Sequence, residues 1–557
     1  MCKMMLYTAI ALVLCGTNSF AKAATPSSSE WVDRSNENAQ ILLTVMAKFS
    51  PEGAGQLGVE GLDEEIADLK PGITERSNKA VSEAIDELNA RLGKEKDASV
   101  RQDLEILIKT AQDNIRGNGL TQKYQIPYFN ISRLVFSGVR GLLDDQVPES
   151  RRNAAVVRLR KYAGLVDGYA PISQLAIDRT RERMEVAGLI GPVKDEVEKD
   201  LAQNQFFVDG IGKLFEKYKL KGYEEAYTAL KVQLKIYDDF VRSEILPKAL
   251  EDFRLPPELY AFSVEQVGVD IPPTELAAMA YDAFTDLQKQ MQTIASQIAK
   301  QKGLSSSDYR AVIRELKKDQ LVGDAILSIY KEKNSEIEEI IRREHIVTLP
   351  AREMRIRIAS EAESAQTPAP NMRPPRMIGD TGEMGEFVLP LNIPSAEGEM
   401  KKFDDFTFAA ASWTLSAHEG RPGHEMQFAS VIEKGVSITR AIFAFNSVNV
   451  EGWGLYSEAI ILPHMPIEGQ LISLQHRLLR AGRAFMDPEL QMGKMKREEA
   501  LRLLKEDIVI SDAMANQEVE RYTFRSPGQA TAYFYGYTKL MDLRKAMEKS
   551  LGKSFDQ

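Results

Sequence analysis

Apolar residues recur at helical spacing over most of the first 345 residues of the chain. Ala80, Ala84, Ile85, Leu88 and Leu92 share one face of a helical repeat, and so do Leu104, Ile108, Ala111 and Ile115. Pro273-Thr274 opens a longer helix in which Leu276, Ala280, Ala283, Phe284, Leu287, Met291, Ile294 and Ile298 form one apolar stripe. Ala325 to Arg343 predicts a further helix with a charged outer face. Near Ile346 the period changes: Met354, Ile356 and Ile358 alternate with Glu353, Arg355, Arg357 and Ala359, as in a strand. Gln366 to Pro375 contains four prolines and reads as a loop. Phe387-Val388-Leu389 predicts a second short strand. Pro390 behind it suits an edge, because proline cannot donate to a central ladder. Such an edge could take up an extended peptide or be closed by its own loop. After Lys401 helical spacing returns and holds to the end. The expected fold is mainly α, with a small β-sheet just before the chemistry. Residues 24–345 make a helical N-terminal region and residues 346–557 the region bearing the chemistry, joined in one continuous cleft-forming fold. No fixed-period repeat is visible.

Composition narrows the class. Hydrophobic residues make up 43% and charged residues 27%, the balance of a water-soluble globular protein. A formal net charge of -10 argues against a general nucleic-acid binder, and no basic stripe with interleaved aromatics stands out. The basic cluster Arg151, Arg152, Arg158, Arg160 and Lys161 reads as a solvated helix face. At the N-terminus, Lys3 precedes an apolar run from Met4 to Leu14, and Ala21-Lys22-Ala23 offers a cleavage site, so residues 1–23 read as a signal peptide and the protein as exported to the periplasm. The alternative is a membrane-anchored lipoprotein with its lipid on Cys15, although Leu14 is larger than the small residue such a site prefers. Both cysteines, Cys2 and Cys15, lie in this segment, so cleavage after Ala23 leaves no disulfide and no thiol chemistry. No later stretch is apolar enough to span a membrane.

Only five histidines occur, and two of them bound the string His418-Glu419-Gly420-Arg421-Pro422-Gly423-His424. The usual zincin motif, H-E-x-x-H, sets two zinc-binding histidines one helical turn apart with a glutamate base between them. Here the second histidine comes two residues late, and an unbroken helix at about 100° per residue would turn it about 240° away from the first. Both imidazoles can face one ion only if the helix breaks between them. Pro422 removes a backbone donor and Gly423 admits unusual backbone angles, so the extra residues suit a break. The plain alternative is a helix-Pro-Gly-helix corner with two exposed histidines. A third ligand is available downstream: Glu451 and Glu458 are seven residues apart and share a helix face. Glu451 is the first choice and Glu458 the second, the unused one being placed to orient a histidine. Trp453, Leu455, Ile460 and Ile461 around them predict burial, where a carboxylate needs a partner.

The string His418-Glu419-x-x-Pro422-Gly423-His424-x-x-Gln427, followed by Glu451-Gly452-Trp453-x-Leu455-Tyr456-x-Glu458, resembles the DUF885 family, a bacterial domain of unknown function related in fold to the thermostable-type zinc carboxypeptidases. Arg480-Ala481-x-Arg483, Glu518-Val519-Glu520-Arg521-Tyr522, Pro527-Gly528-Gln529-Ala530 and Tyr533-x-x-Gly536 extend the resemblance. It implies a large helical gluzincin-like fold and a zinc metallopeptidase. Two departures stand out. Gln491 occupies the place where the family carries a histidine, and the chain stops at Gln557 where the family commonly runs on.

The expected chemistry is amide hydrolysis with one zinc per chain and a peptide as partner. Zinc polarises the scissile carbonyl and lowers the pKa of its water towards about 7, and Glu419 acts as general base. The oxyanion needs a further donor, with Tyr533 first and Tyr522 or Arg521 next. Each tyrosine can equally be a core residue with a satisfied hydroxyl. The rival expectation is a catalytically impaired periplasmic relative that binds peptide or metal without turnover. Oligomeric state is not legible.

Overall fold

The structure is a computed structural model that describes residues 30–394, 400–402 and 404–556. The signal-peptide and Cys15 expectations lie outside the described residues. The helices read from periodicity are present as Ile73–Leu92, Ala98–Tyr124, Pro273–Lys302 and Asp324–Arg343. Among the described residues, no helix is long and apolar enough to cross a membrane.

The largest core forms where the Pro273–Lys302 helix lies against the helix Ile467–Gln491. Leu276, Ala280, Phe284, Leu287, Met291 and Ile298 pack there with Leu474, Leu478 and Phe485. Ala283 and Ile294, at the margins of the stripe, are only half-buried. Residue 345 is thus a change of secondary structure, not of core, because helices from both sides of it hide one another's apolar faces. A second core gathers the helices between Ile131 and Ile245, with Ala362 and Ala365 closing it.

The sheet has three strands, β1 (Met354–Ile358), β2 (Asn371–Arg373) and β3 (Gly385–Leu389), in the order β1-β3-β2. Here three expectations change. β3 is central, parallel to β1 and antiparallel to β2, and all five of its residues are buried. Pro390 lies one residue beyond the paired stretch, where no ladder donor is needed, so it ends the strand without forcing it to an edge. β3 therefore has no free edge for a peptide. The proline-rich segment also contains β2, between Pro370 and Pro374.

The basic cluster is not a solvated face. Arg158 and Lys161 are buried, and Arg158 donates to the carbonyls of Gly138 and Leu62. Arg151 pairs with Asp63 and Lys161 with Glu65. These side chains clamp the loop around Leu62 to Glu65 onto the helices, which satisfies loop carbonyls that water would otherwise have to reach. The sheet meets the helix His424–Lys434 through β3: Gly385 lies so close that a Cβ would be 2.8 Å from Glu425 Cγ.

Candidate metal centre

His418 lies in the last turn of the buried helix Ala409–Glu419, which ends when Gly420 leaves helical geometry at φ -91 and ψ -121. The next helix begins at His424. Between them the Arg421–Pro422 peptide bond is cis. Gly423 is required for room, not for a left-handed φ: at φ -74 its Cβ would sit 1.9 Å from the His418 carbonyl oxygen. The corner is held from two sides. Arg421 donates to Glu425 at 2.7 Å and Glu338 at 3.1 Å, while Asn334 Oδ1 accepts from its backbone N–H. Trp453 Nε1 and Ser457 Oγ both donate to the Pro422 carbonyl, at 2.9 and 3.2 Å. The break turns the two imidazoles together, with ring centroids 4.6 Å apart and planes at 82°. Both histidines are buried, at 2% and 7% exposure, which rules out the exposed corner.

The helix Ser447–Ile461 brings the carboxylates. Glu451 Oε2 lies 3.4 Å from His424 Nε2 and 3.7 Å from His418 Nε2. These are long for hydrogen bonds but close to the separation of about 3.4 Å between ligands that each sit ~2.1 Å from a tetrahedral ion. The donor atoms of His418, His424 and Glu451 all lie within 4.8 Å of one another. Glu458, two turns along the same helix, accepts from His418 Nδ1 at 2.7 Å and from Thr414 Oγ1 at 2.7 Å. It therefore stands behind His418, fixing the tautomer that leaves Nε2 free towards Glu451. Gly454 allows the helix this near, since a Cβ there would lie 2.5 Å from His418 Cε1. Two imidazoles and a carboxylate form a donor set suited to zinc.

The charges are tightly linked. Burial opposes charge on His418, but Glu451 and Glu458 outweigh it and raise its pKa to about 9. Burial also opposes charge on Glu458, which Arg480 and His418 nonetheless bring down to about 2. Glu419 is 7% exposed and makes no side-chain hydrogen bond among the described residues. Burial pushes its carboxyl above the usual range against the pull of the two histidines. An uncommitted carboxylate beside the donors is placed to exchange a proton.

Tyr533 faces the centre, its ring 6.5 Å from that of His418 and nearly parallel to it. Arg521 Nη1 donates to its hydroxyl at 3.4 Å. Arg483 lies 4.5 Å over the same ring and is gripped by Glu518 at 2.7 and 2.5 Å. Tyr522 does not join the centre as an oxyanion donor: it is fully buried and its hydroxyl is spent on Glu518 at 2.6 Å. Gln491 is likewise structural, its amide accepting from the Leu255 N–H at 2.9 Å and donating to the Tyr522 carbonyl at 2.8 Å.

The profile of the family described as "Bacterial protein of unknown function (DUF885)" matches residues 51–557. The chain belongs to the DUF885 family. No curated protein matches it. Solved structures share its fold, and two of them illustrate it. One is a "putative lipoprotein of unknown function" from Shewanella oneidensis, 19% identical, with a TM-score of 0.68 over 95% of each chain. The other is a "putative lipoprotein" from Colwellia psychrerythraea, 18% identical, with a TM-score of 0.69 over 94% of each chain.

In this DUF885 chain, sequence reasoning gave no role to His476, Arg480, Arg483 or Glu518. Arg480 Nη2 approaches Glu458 at 3.9 Å, and its Nε is buried without a partner among the described residues. His476, buried beside Arg480, has its pKa lowered to about 3 and stays neutral. A signal was available: His476, Arg480, Arg483, Asp487 and Gln491 recur at three- and four-residue steps, a polar stripe on a helix whose other face is apolar.

Proposed function

We propose that this DUF885 chain is an exported zinc-dependent peptidase of gluzincin type, acting on short or unfolded peptides. The observation that carries the reading is the approach of His418, His424 and Glu451 from three separate helices, with Glu419 unbonded beside them. His418, His424 and Glu451 would hold one zinc, and that ion supplies the Lewis acidity that polarises a carbonyl and acidifies water. Glu419 accepts the proton of the attacking water and returns it to the leaving amine. Glu458 keeps His418 aligned, and Thr414 keeps Glu458 aligned. Tyr533 presents its hydroxyl to the developing oxyanion, and Arg521 stabilises that hydroxyl as a donor. Because His418, His424 and Glu419 are buried, entry is expected only for chains that can thread in extended form. The names of both structural neighbours favour a lipid on Cys15 over release as a soluble periplasmic form, and the mass of the mature protein separates the two.

The deciding experiment is metal analysis of the mature protein followed by a peptide library offered beside a stable folded protein. One zinc per chain, lost in His424→Ala, together with cleavage of short peptides, is expected. Zinc without turnover would favour the rival that binds without cleaving, and absence of bound metal after zinc loading would reject the zinc peptidase.

A further inference from the structure

Residues 518–530 are fastened to the helix Ile467–Gln491 at three points. Arg483 holds Glu518, Gln491 Nε2 donates to the Tyr522 carbonyl, and Asp487 accepts from the Gly528 N–H at 2.9 and 3.0 Å. Asp487 is fully buried and also accepts from the Tyr260 hydroxyl at 2.9 Å. Gly528 turns the chain at φ +90, in the region that favours glycine, and lies against Val264. The turn delivers Gln529 to the candidate centre. Its Nε2 contacts Ser447 Oγ at 3.1 Å and Glu451 Oε1 at 3.4 Å. A carboxylate only accepts, so it is the amide nitrogen of Gln529 that faces it.

The two oxygens of Glu451 therefore meet different neighbours. Oε2 lies 3.4 Å from His424 Nε2 and 3.7 Å from His418 Nε2. Oε1 has Gln529 as its only hydrogen-bond donor among the described residues. Nothing within a glutamate separates its two oxygens, because the terminal torsion is broad and roughly two-fold. The helix Ser447–Ile461 sets where the Glu451 side chain starts, and an outside contact has to set how its carboxylate turns. The contact to Gln529 is longer than an ordinary N–H···O bond, so it steers the carboxylate and does not lock it.

We propose that Gln529 is a positioning residue for Glu451: it occupies Oε1, so that the carboxylate offers the single oxygen Oε2 to an ion held with His418 and His424. The inference rests on the zinc reading above. A carboxylate that turned both oxygens to the ion would take the open position that a catalytic zinc keeps for water or substrate. Asp487 acts one step further back, because the Gly528 turn that it holds sets where Gln529 lies.

The test is Gln529→Met in the mature protein, which keeps the length of the side chain and removes the donor. Zinc affinity, measured by competition with a chelator, should fall ~10-fold, the low end for a residue that supports a metal ligand, because the contact is long. The cobalt-loaded variant should absorb visible light more weakly than the cobalt-loaded parent, as the coordination number rises. In a Glu451→Ala background the same change should leave zinc affinity within ~2-fold, since the partner is then already gone. An equal loss in both backgrounds, or no loss in either, would overturn the role of Gln529, and a parent that binds zinc and cleaves peptides would still keep the peptidase. An unchanged cobalt spectrum would overturn the single-oxygen role even if affinity fell. If Gln529→Met weakens zinc binding and alters the spectrum but the parent cleaves no peptide, the inference stands and the peptidase reading fails. A parent that binds no zinc overturns both. Where Gln529→Met lowers the Tm of the metal-free protein, Gln529→Ala in the same two backgrounds decides.

Discussion

The helix Ile467–Gln491 is buried on two opposite faces, and the two faces behave differently. One presents Leu474, Leu478 and Phe485 to the Pro273–Lys302 helix, with Phe485 stacked 4.0 Å from Tyr281. The other buries His476, Arg480, Arg483, Asp487 and Gln491 towards the candidate metal donors and the walls behind them. The apolar face needs only volume and shape, and its removal from water is favourable residue by residue. The polar face is costly unless each group finds a partner. Most do: Arg483 with Glu518, Asp487 with Tyr260 and the Gly528 N–H, Gln491 with Leu255 and Tyr522. The exceptions, Arg480 Nε and His476 Nδ1, lie at the end nearest Glu458 and His418. Equal burial thus covers an apolar core on one face and the candidate site on the other, and the hydrogen-bond partners tell them apart.

The largest expected effect breaks chemistry without touching either face. Glu419→Gln should lower peptide turnover by roughly 10²–10⁴-fold with zinc content and Tm unchanged, since the amide cannot accept a proton. Equal rates in variant and parent would remove Glu419 from the role of base. Next, Arg483→Met strands Glu518 in the interior and should cost about 3–5 kcal/mol in denaturant unfolding, together with activity through the loosened Tyr533 ring. On the apolar face, Met291→Ala should cost about 2–5 kcal/mol yet leave zinc binding and KM intact. If Met291→Ala impaired zinc binding, or Arg483→Met were harmless, the contrast between the faces would fail.

The smallest effect is a pH dependence. His418, lifted to about 9 by its carboxylates, must lose its proton before Nε2 can bind an ion. Zinc affinity should therefore rise with pH, by about tenfold per unit between pH 6 and 8, and level off above 9. Competition with a chelator of known affinity measures this, and a flat profile from pH 6 to 8 would show that His418 carries no proton to displace.

The sequence by itself determined the mainly helical class, the long helices and strand β1, and it singled out His418, Glu419, His424, Glu451 and Glu458 as the candidate site residues. Period and spacing are local properties that survive without a fold. It could not decide which glutamate faces Nε2 and which backs Nδ1, because both share one helix face. Only the approach of that helix to His418, made possible at Gly454, separates the roles. Gly423 was read as a residue of unusual backbone angles, which its φ -74 and ψ -137 bear out, but the room it leaves for the His418 carbonyl is set by the fold. The central place of β3 despite Pro390, and the burial of Arg158 and Lys161, were decided by partners distant in sequence. So was the commitment of Tyr522 to Glu518 and of Gln491 to Leu255. A side chain's type fixes what it can bond, but which partner arrives depends on how distant helices pack, and that is settled by the tertiary core.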